Sequence, residues 1–259
     1  MKTPHGSTTN SSNSPSAGKM SSTPTCNSRL PTSASDGTSR CDAVADSTSD
    51  SNGSEYAIVL AAGASTRMGT CKASLPWHDS QTLLTYQLSQ LLLATITPVV
   101  VVGTHNAYLQ ETCPAYVQVV VNPDTTRGKI SSILTGLAVL PTQLQTLIIS
   151  AVDQPRSTTI YTQLLQAHRQ STAPITLPVY GDRRGHPLLL SGELRSELLA
   201  LSEQTLGLRQ LVQQYSAQLQ LVEFQTPEVL LDLNTPEEYH HSIVKQAVVY
   251  SKANTSATT

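Results

Sequence analysis

The densest set of residues capable of chemistry lies in Leu60-Ala61-Ala62-Gly63-Ala64-Ser65-Thr66-Arg67-Met68-Gly69-Thr70-Cys71-Lys72. Small residues and glycine let a backbone approach a bulky anion closely, and successive N–H groups in such a turn form an anion-binding concavity. Arg67 and Lys72 add fixed positive charge. The stretch follows a short apolar run, Tyr56–Leu60, that reads as a buried strand. Two familiar phosphate loops are excluded by spacing. The P-loop requires its second glycine to be followed directly by Lys and Ser or Thr, whereas Thr70 and Cys71 intervene here. The G-x-G-x-x-G dinucleotide fingerprint is also absent. On residues alone, the stretch is either an anion site or ordinary strand-to-helix punctuation.

Charge is unevenly distributed along the chain. There are 16 Lys and Arg residues. Four of them, Lys2, Lys19, Arg29 and Arg40, precede residue 55. Six of the remaining 12 fall in three short loops: Arg67 and Lys72, Arg127 and Lys129, Arg183 and Arg184. None occurs between Ala73 and Thr126. This concentration points to a localised anion site. A net charge of −2 argues against a general nucleic-acid binder.

Three further segments carry candidate groups. Asp153, in Ala151-Val152-Asp153-Gln154-Pro155, ends an apolar strand just before a proline that stops pairing. A carboxylate there is well placed to hold a cation, and magnesium favours one or two carboxylates together with phosphate oxygens. Tyr180-Gly181-Asp182-Arg183-Arg184-Gly185-His186-Pro187 brackets two arginines with glycines, a pattern suited to phosphate or carboxylate recognition. His186 in it reads either as a general base or as an orienting residue. The orienting role is preferred, because a phosphate nucleophile is already anionic at neutral pH. Asp232 and Asn234, in Leu231-Asp232-Leu233-Asn234-Thr235-Pro236, alternate along an expected strand end and so share a face. Thr235 as N-cap with Glu238 three residues later predicts a capping box.

Taken together, these segments resemble the nucleotidyltransferases of the molybdenum cofactor cytidylyl/guanylyltransferase type, over about residues 56–244. Leu-Ala-Ala-Gly-x-Ser-x-Arg-Met-Gly-x-x-Lys is similar to that family's triphosphate-wrapping signature. The resemblance implies nucleotide contacts from Leu60, Ala61, Ala62, Gly63, Ser65, Arg67 and Lys72, with Arg67, Lys72 and Asp153 as catalytic residues. Asn122-Pro123, Gly128, Ser131-Ser132 and Gly136 are similar to the second motif, which lies along the base. Asn122, Gly128 and Ser132 are therefore implied to bind nucleotide, although Lys129 and Ile130 depart from the usual residues. Gly-x-x-Gly-His-Pro implies acceptor contacts from Arg183, Arg184, Gly185, His186 and Pro187. Asp153 and Asn234 are implied as ligands of Mg2+; family members carry Asp-x-Asp or Asn-x-Asn here, and this chain has the hybrid Asp232-Leu233-Asn234, whose second residue offers an oxygen without charge. Gly207-Leu208-Arg209 resembles a Gly-x-Arg element of the cytidylyl branch, although the residues alone favour a surface helix with one arginine.

The implied reaction moves CMP from CTP to a phosphorylated acceptor, with pyrophosphate leaving. CTP follows from Ala62, which matches the cytidylyl Leu-Ala-Ala-Gly; guanylyl members usually have Leu-Ala-Gly-Gly, whose extra space suits a purine. Molybdopterin is the implied acceptor, and an apo molybdoenzyme is a possible recipient. The alternatives are transfer to a sugar phosphate or other metabolite, and a non-catalytic nucleotide- or cofactor-binding carrier.

Elements able to position these residues are legible as alternating apolar runs. Helices are expected over Thr82–Leu93, Ile133–Leu140 and Ile160–Ala167, the last opened by hydroxyl residues at Ser157–Thr159 that can cap it. Strands are expected over Pro98–Gly103, Val117–Val121 and Leu147–Val152, whose continuous apolar character suits burial on both faces. Alternation of this kind predicts a three-layer Rossmann-like α/β fold with a mostly parallel sheet, whose ligands sit at the carboxyl ends of strands. Residues 55–245 are read as the nucleotidyltransferase domain. Residues 1–54, dominated by Ser, Thr, Asn, Gly and Ala, are read as a disordered tail, and 246–259 as a second loose end. The first segment carries four acidic residues against its four basic ones and has no signal-like apolar run. No run approaches the roughly 18 apolar residues of a membrane span. Four cysteines without paired spacing suit a reducing cytoplasm.

Overall fold

The computed structural model of the chain describes residues 55–202 and 206–245. The expectations for 1–54 and 246–259 lie outside the described residues. Eight strands form one sheet: β1 (Glu55–Leu60), β2 (Thr97–Gly103), β3 (Gln118–Asn122), β4 (Thr146–Ala151), β5 (Ile175–Tyr180), β6 (Arg183–Arg184), β7 (Leu188–Ser191) and β8 (Leu219–Glu223). The order is β3-β2-β1-β4-β7-β5, with β8 pairing in parallel along β5 and the two-residue β6 folding back on it. β1 through β4 are mutually parallel, while β7 runs antiparallel between β4 and β5. The sheet is thus mostly parallel, as expected, with a reversed strand inserted at its centre.

Side-chain alternation along β1 divides the core. Ala57 and Val59 face one hydrophobic cluster, which includes Leu84 and Leu88 of α1 (Leu83–Leu93) and Tyr161 and Leu164 of α3 (Thr158–Arg169). Ile58 and Leu60 face the other, with Ile133 and Leu137 of α2 (Gly128–Leu137), Leu198 of α4 (Arg195–Leu199) and Leu211 of α5 (Leu208–Gln214). Successive residues of a strand point to opposite faces, so the continuous apolar run is what a sheet covered on both sides requires.

Local side-chain capping opens two of the helices. Thr82 and Thr85 form a reciprocal pair at the start of α1. A sixth helix, over 236–245, opens with the predicted box: Glu238 N–H donates to Thr235 Oγ1 at 3.3 Å, and Thr235 N–H donates to Glu238 Oε2 at 3.1 Å. Three expectations are corrected. Helix α2 begins at Gly128 rather than Ile133, because Gly128 adopts φ 82°, a backbone turn that lets the helix start immediately after the Thr125–Arg127 turn. Ser157 is the N-cap residue of α3, but its side chain does not cap. Instead, the backbone N–H groups of Ser157 and Thr158 are taken by Glu228 Oε1 and Gln90 Oε1 at 3.1 and 2.9 Å. The segment before Asp232 is not a strand: Pro227–Leu230 is a 3-10 turn and 231–234 has no regular structure. Its backbone groups are occupied by Arg156 and His186 rather than by a sheet ladder.

Gly136 places α2 directly against the sheet. A Cβ added there would lie 2.9 Å from Ile58 Cγ2 and 3.0 Å from Val101 Cγ2. Gly136→Val is expected to destabilise the fold by about 1–3 kcal/mol through overpacking. Urea denaturation would show this as a lower midpoint with an unchanged slope.

Candidate active site

The first loop folds over the carboxyl end of β1. Asn106, nearly fully buried, anchors it by donating to Ala61 O at 2.8 Å while accepting from Gly103 N–H at 2.8 Å. Within the loop, Ser65 Oγ accepts the Lys72 N–H at 3.3 Å, and Gly69 takes φ 67°. A Cβ at Gly63 would meet nothing within 4 Å. Gly63 therefore borders open space on the side where a ligand would approach.

Three distant segments meet beneath this loop. Lys72 Nζ lies 2.8 Å from Asp153 Oδ2 and 3.3 Å from Asn234 Oδ1. Asp153 follows the end of β4, and Asn234 precedes the last helix. Leu233 N–H donates to Asp153 O at 2.9 Å, which fixes the two segments side by side. Asp232, expected to share Asn234's face, accepts instead from Gln154 Nε2 at 2.6 Å. Two oxygens thus converge on one cation, here an ammonium, and hard oxygen donors of this kind fit a divalent ion. Among the described residues, no group of three or more His, Cys, Asp and Glu is placed to hold a metal. A metal at Asp153 and Asn234 would therefore draw its remaining oxygens from ligand phosphates and water.

Two cavities adjoin this point. The first, about 310 Å³, is lined by Leu60, Ala61, Ala62, Gly63, Ser65, Lys72, Gly128, Lys129, Ser132 and Asp153, among others. The second, about 390 Å³, is lined by Arg184, Gly185, His186, Leu208, Arg209 and Gln154, with apolar walls from Ile149, Leu177, Leu188 and Val212. Most of the sequence candidates are therefore brought together, but five are not among the residues lining either cavity, Asn234 among them although its Oδ1 meets Lys72. Arg67 is exposed. Arg183 is exposed on β6. Pro187 is buried. Asn122 shapes the loop: its Nδ2 donates to Ser131 Oγ at 2.8 Å and Ser132 Oγ at 3.0 Å, and its Oδ1 accepts from Asp124 N–H at 3.0 Å. Arg209, which the residues alone assign to a surface helix, does line the second cavity.

Gly185 shows why its loop demands glycine. A Cβ there would fall 2.2 Å from Val229 O. The next residue, His186, donates its backbone N–H to that same oxygen at 2.9 Å. Burial pushes the His186 imidazole below its usual pKa; Asp232 and Asp153 oppose this, while Arg156 and Lys129 reinforce it. The ring is therefore neutral at pH 7, consistent with orientation rather than charge.

Sequence reasoning passed over Arg156. It is fully buried and binds four carbonyls: Nε to His186 O at 2.9 Å, Nη1 to Pro155 O at 2.9 Å, and Nη2 to Val229 O and Leu231 O at 3.0 Å each. Burial lowers its pKa, while Tyr161, Asp232, Glu228 and Asp153 pull it back. The available signal was its position, directly after Asp153-Gln154-Pro155. Arg156→Met removes the donor to the Pro155, His186 and Leu231 carbonyls and one of two to Val229 O, and is expected to cost about 3–5 kcal/mol. Equilibrium denaturation would measure the loss, and Arg156→Lys should recover only part of it, having fewer donors in a different geometry.

A three-layer sheet with its candidate groups at the strand ends defines the class: a Rossmann-like nucleotidyltransferase fold. Residues 57–219 match the MobA-like NTP transferase domain, and the chain belongs to that family. It is 27% identical over 187 residues to the molybdenum cofactor cytidylyltransferase of Escherichia coli, covering 70% of this chain and 92% of that protein. It is 30% identical over 195 residues to the nicotine blue oxidoreductase of Paenarthrobacter nicotinovorans, covering 71% and 93%. The crystal structure of Rv0371c from Mycobacterium tuberculosis superposes with a TM-score of 0.65 at 25% identity, covering 74% of this chain and 97% of that one. The same mycobacterial protein, solved in complex with manganese, gives a TM-score of 0.62 at 22% identity, covering 74% and 98%.

Proposed function

We propose that this protein transfers CMP from CTP to the phosphate of a molybdenum-bearing pterin, with magnesium held by Asp153 and Asn234. The observation that carries this reading is the meeting of Lys72 with Asp153 and Asn234, where Lys72 and Asp153 line a cavity bordered by the small-residue loop. The triphosphate occupies that cavity, with Lys72 released from Asp153 to meet its phosphates. Magnesium, when bound, supplies charge neutralisation and holds phosphate oxygens in place. The backbone of the first loop and Ser65 orient the triphosphate, and Gly128 and Ser132 border the base. The acceptor lies in the second cavity, its phosphate toward Arg184 and Arg209 and its ring against the apolar wall. Its phosphate oxygen attacks the α-phosphorus, and catalysis is positioning plus charge neutralisation. Neutral His186 holds the acceptor loop and removes no proton, since the nucleophile is already anionic. The reading places the reaction in the cytoplasm.

Pyrophosphate release from CTP, GTP, UTP and ATP, each with molybdopterin and with sugar phosphates, tests the proposal. CTP with the pterin should dominate. A sugar phosphate used in preference, or bound nucleotide without turnover, would favour one of the alternative readings. Asp153→Ala is expected to lower turnover by about 10²–10³-fold, the scale for removing one transition-state stabiliser, with little change in melting temperature. Near-normal turnover would refute the assignment of Asp153.

Base choice is the finer proposal. Ala62 lines the first cavity yet is almost wholly buried, packed in the cluster that contains Ile130. Its methyl group thus limits the cavity wall from a fixed position. Ala62→Gly is expected to raise GTP use relative to CTP by about tenfold or more, since a single methylene in a pocket is worth roughly 1–3 kcal/mol. The readout is the ratio of kcat/KM values, with a melting curve to separate lost packing. A wild-type preference for GTP would overturn the cytidylyl assignment.

A further inference from the structure

Three residues line both cavities: Leu60, Ala151 and Lys129. The first two are apolar and sit at the ends of β1 and β4. Lys129 is thus the charged residue common to both, and it stands in the first turn of the ten-residue helix α2. The positive end of the helix dipole lies at that turn and favours an anion. The fixed charges on either side are otherwise segregated. Lys72 and Asp153 line only the first cavity, and Arg184 and Arg209 only the second. Lys72 is paired with Asp153 at 2.8 Å, so part of its charge is already balanced. Asn234, the partner oxygen of Asp153, carries no charge.

We propose that Lys129 is a catalytic residue of the transfer, its ammonium lying between the α-phosphate of the nucleotide and the attacking phosphate of the acceptor. This rests on the reading of the two cavities given above. Two phosphates must come within bonding distance at the seam, and like charges brought together there cost several kcal/mol unless a cation lies between them. In the step, an acceptor phosphate oxygen forms a bond to the α-phosphorus. The bond from the α-phosphorus to the bridging oxygen breaks, and its electron pair leaves with pyrophosphate. No proton moves, and Lys129 stays an ammonium throughout.

The test compares wild type, Lys129→Gln, Lys129→Arg and the control Arg127→Gln. Arg127 is exposed and is not among the residues lining either cavity. Calorimetry measures binding of an α,β-methylene analogue of CTP and of 6-hydroxymethylpterin phosphate, each alone and in the presence of the other. In Lys129→Gln the two ligands should become antagonists, each weakening the other by about tenfold or more, while wild type, Lys129→Arg and Arg127→Gln show little antagonism. Pyrophosphate release should fall by about 10²–10³-fold in Lys129→Gln and recover to within tenfold in Lys129→Arg. Unchanged coupling in Lys129→Gln, or failure of wild type to bind the two ligands together, overturns the assignment of Lys129. Coupling that changes as expected in a wild type that releases no pyrophosphate would support the placement of Lys129 and sink the transferase reading instead.

Discussion

The site depends on one buried guanidinium. Arg156 bonds to the carbonyls of Pro155, His186, Val229 and Leu231, which belong to three separate loops. One loop carries Asp153, another the Arg184–His186 segment, and the third leads to Asp232 and Asn234. Removing a charge from water is costly unless its hydrogen bonds are met in good geometry. Here the need is met by carbonyls that no sheet or helix satisfies. The requirement runs both ways: the loops need the donors, and the guanidinium needs the acceptors. Guanidinium also remains charged where an amine would lose its proton, so the tie holds across the working pH range.

The same constraint shapes the close contacts around it. Gly185 passes so near Val229 O that no side chain fits. His186 then adds its own N–H to that oxygen, which already accepts from Arg156. Glu228, beside Val229, takes the N–H of Ser157, the residue after Arg156. The start of α3 is thus capped from another loop rather than by its own hydroxyl residues. In this way the position of a catalytic-face loop and the entry of a core helix become one packing problem.

Electrostatically, the site is frugal in carboxylates. Lys72 bridges Asp153 and Asn234, so without ligands the protein neutralises its own oxygen donors. In the proposed reaction, an arriving triphosphate would bring the anionic charge that lets the lysine exchange partners. Asp232, close by, is engaged by Gln154. Positive groups are instead distributed along the two cavities, which suits a ligand pair made of phosphates more than a protein-built metal cage.

What the sequence determined by itself was the chemistry and the layering. Buried runs at Tyr56–Leu60, Pro98–Gly103 and Leu147–Val152 could satisfy their backbone only in a covered sheet, and their loops at the strand ends had to face one side. The glycine-rich stretch and Asp153 at a strand end were likewise legible, and the resemblance to a known family singled out Lys72 and Asn234. Tertiary structure decided the rest. Lys72 lies 81 positions from Asp153 and 162 from Asn234, and only folding could show that the lysine sits between them. It also left Arg67, Arg183 and Asn122 out of the two cavity linings, brought Arg209 in, reversed β7 within the sheet, and made 231–234 a tethered loop. These outcomes depend on which distant backbone groups need partners, as the carbonyls around Arg156 do, and a linear pattern carries no record of that need.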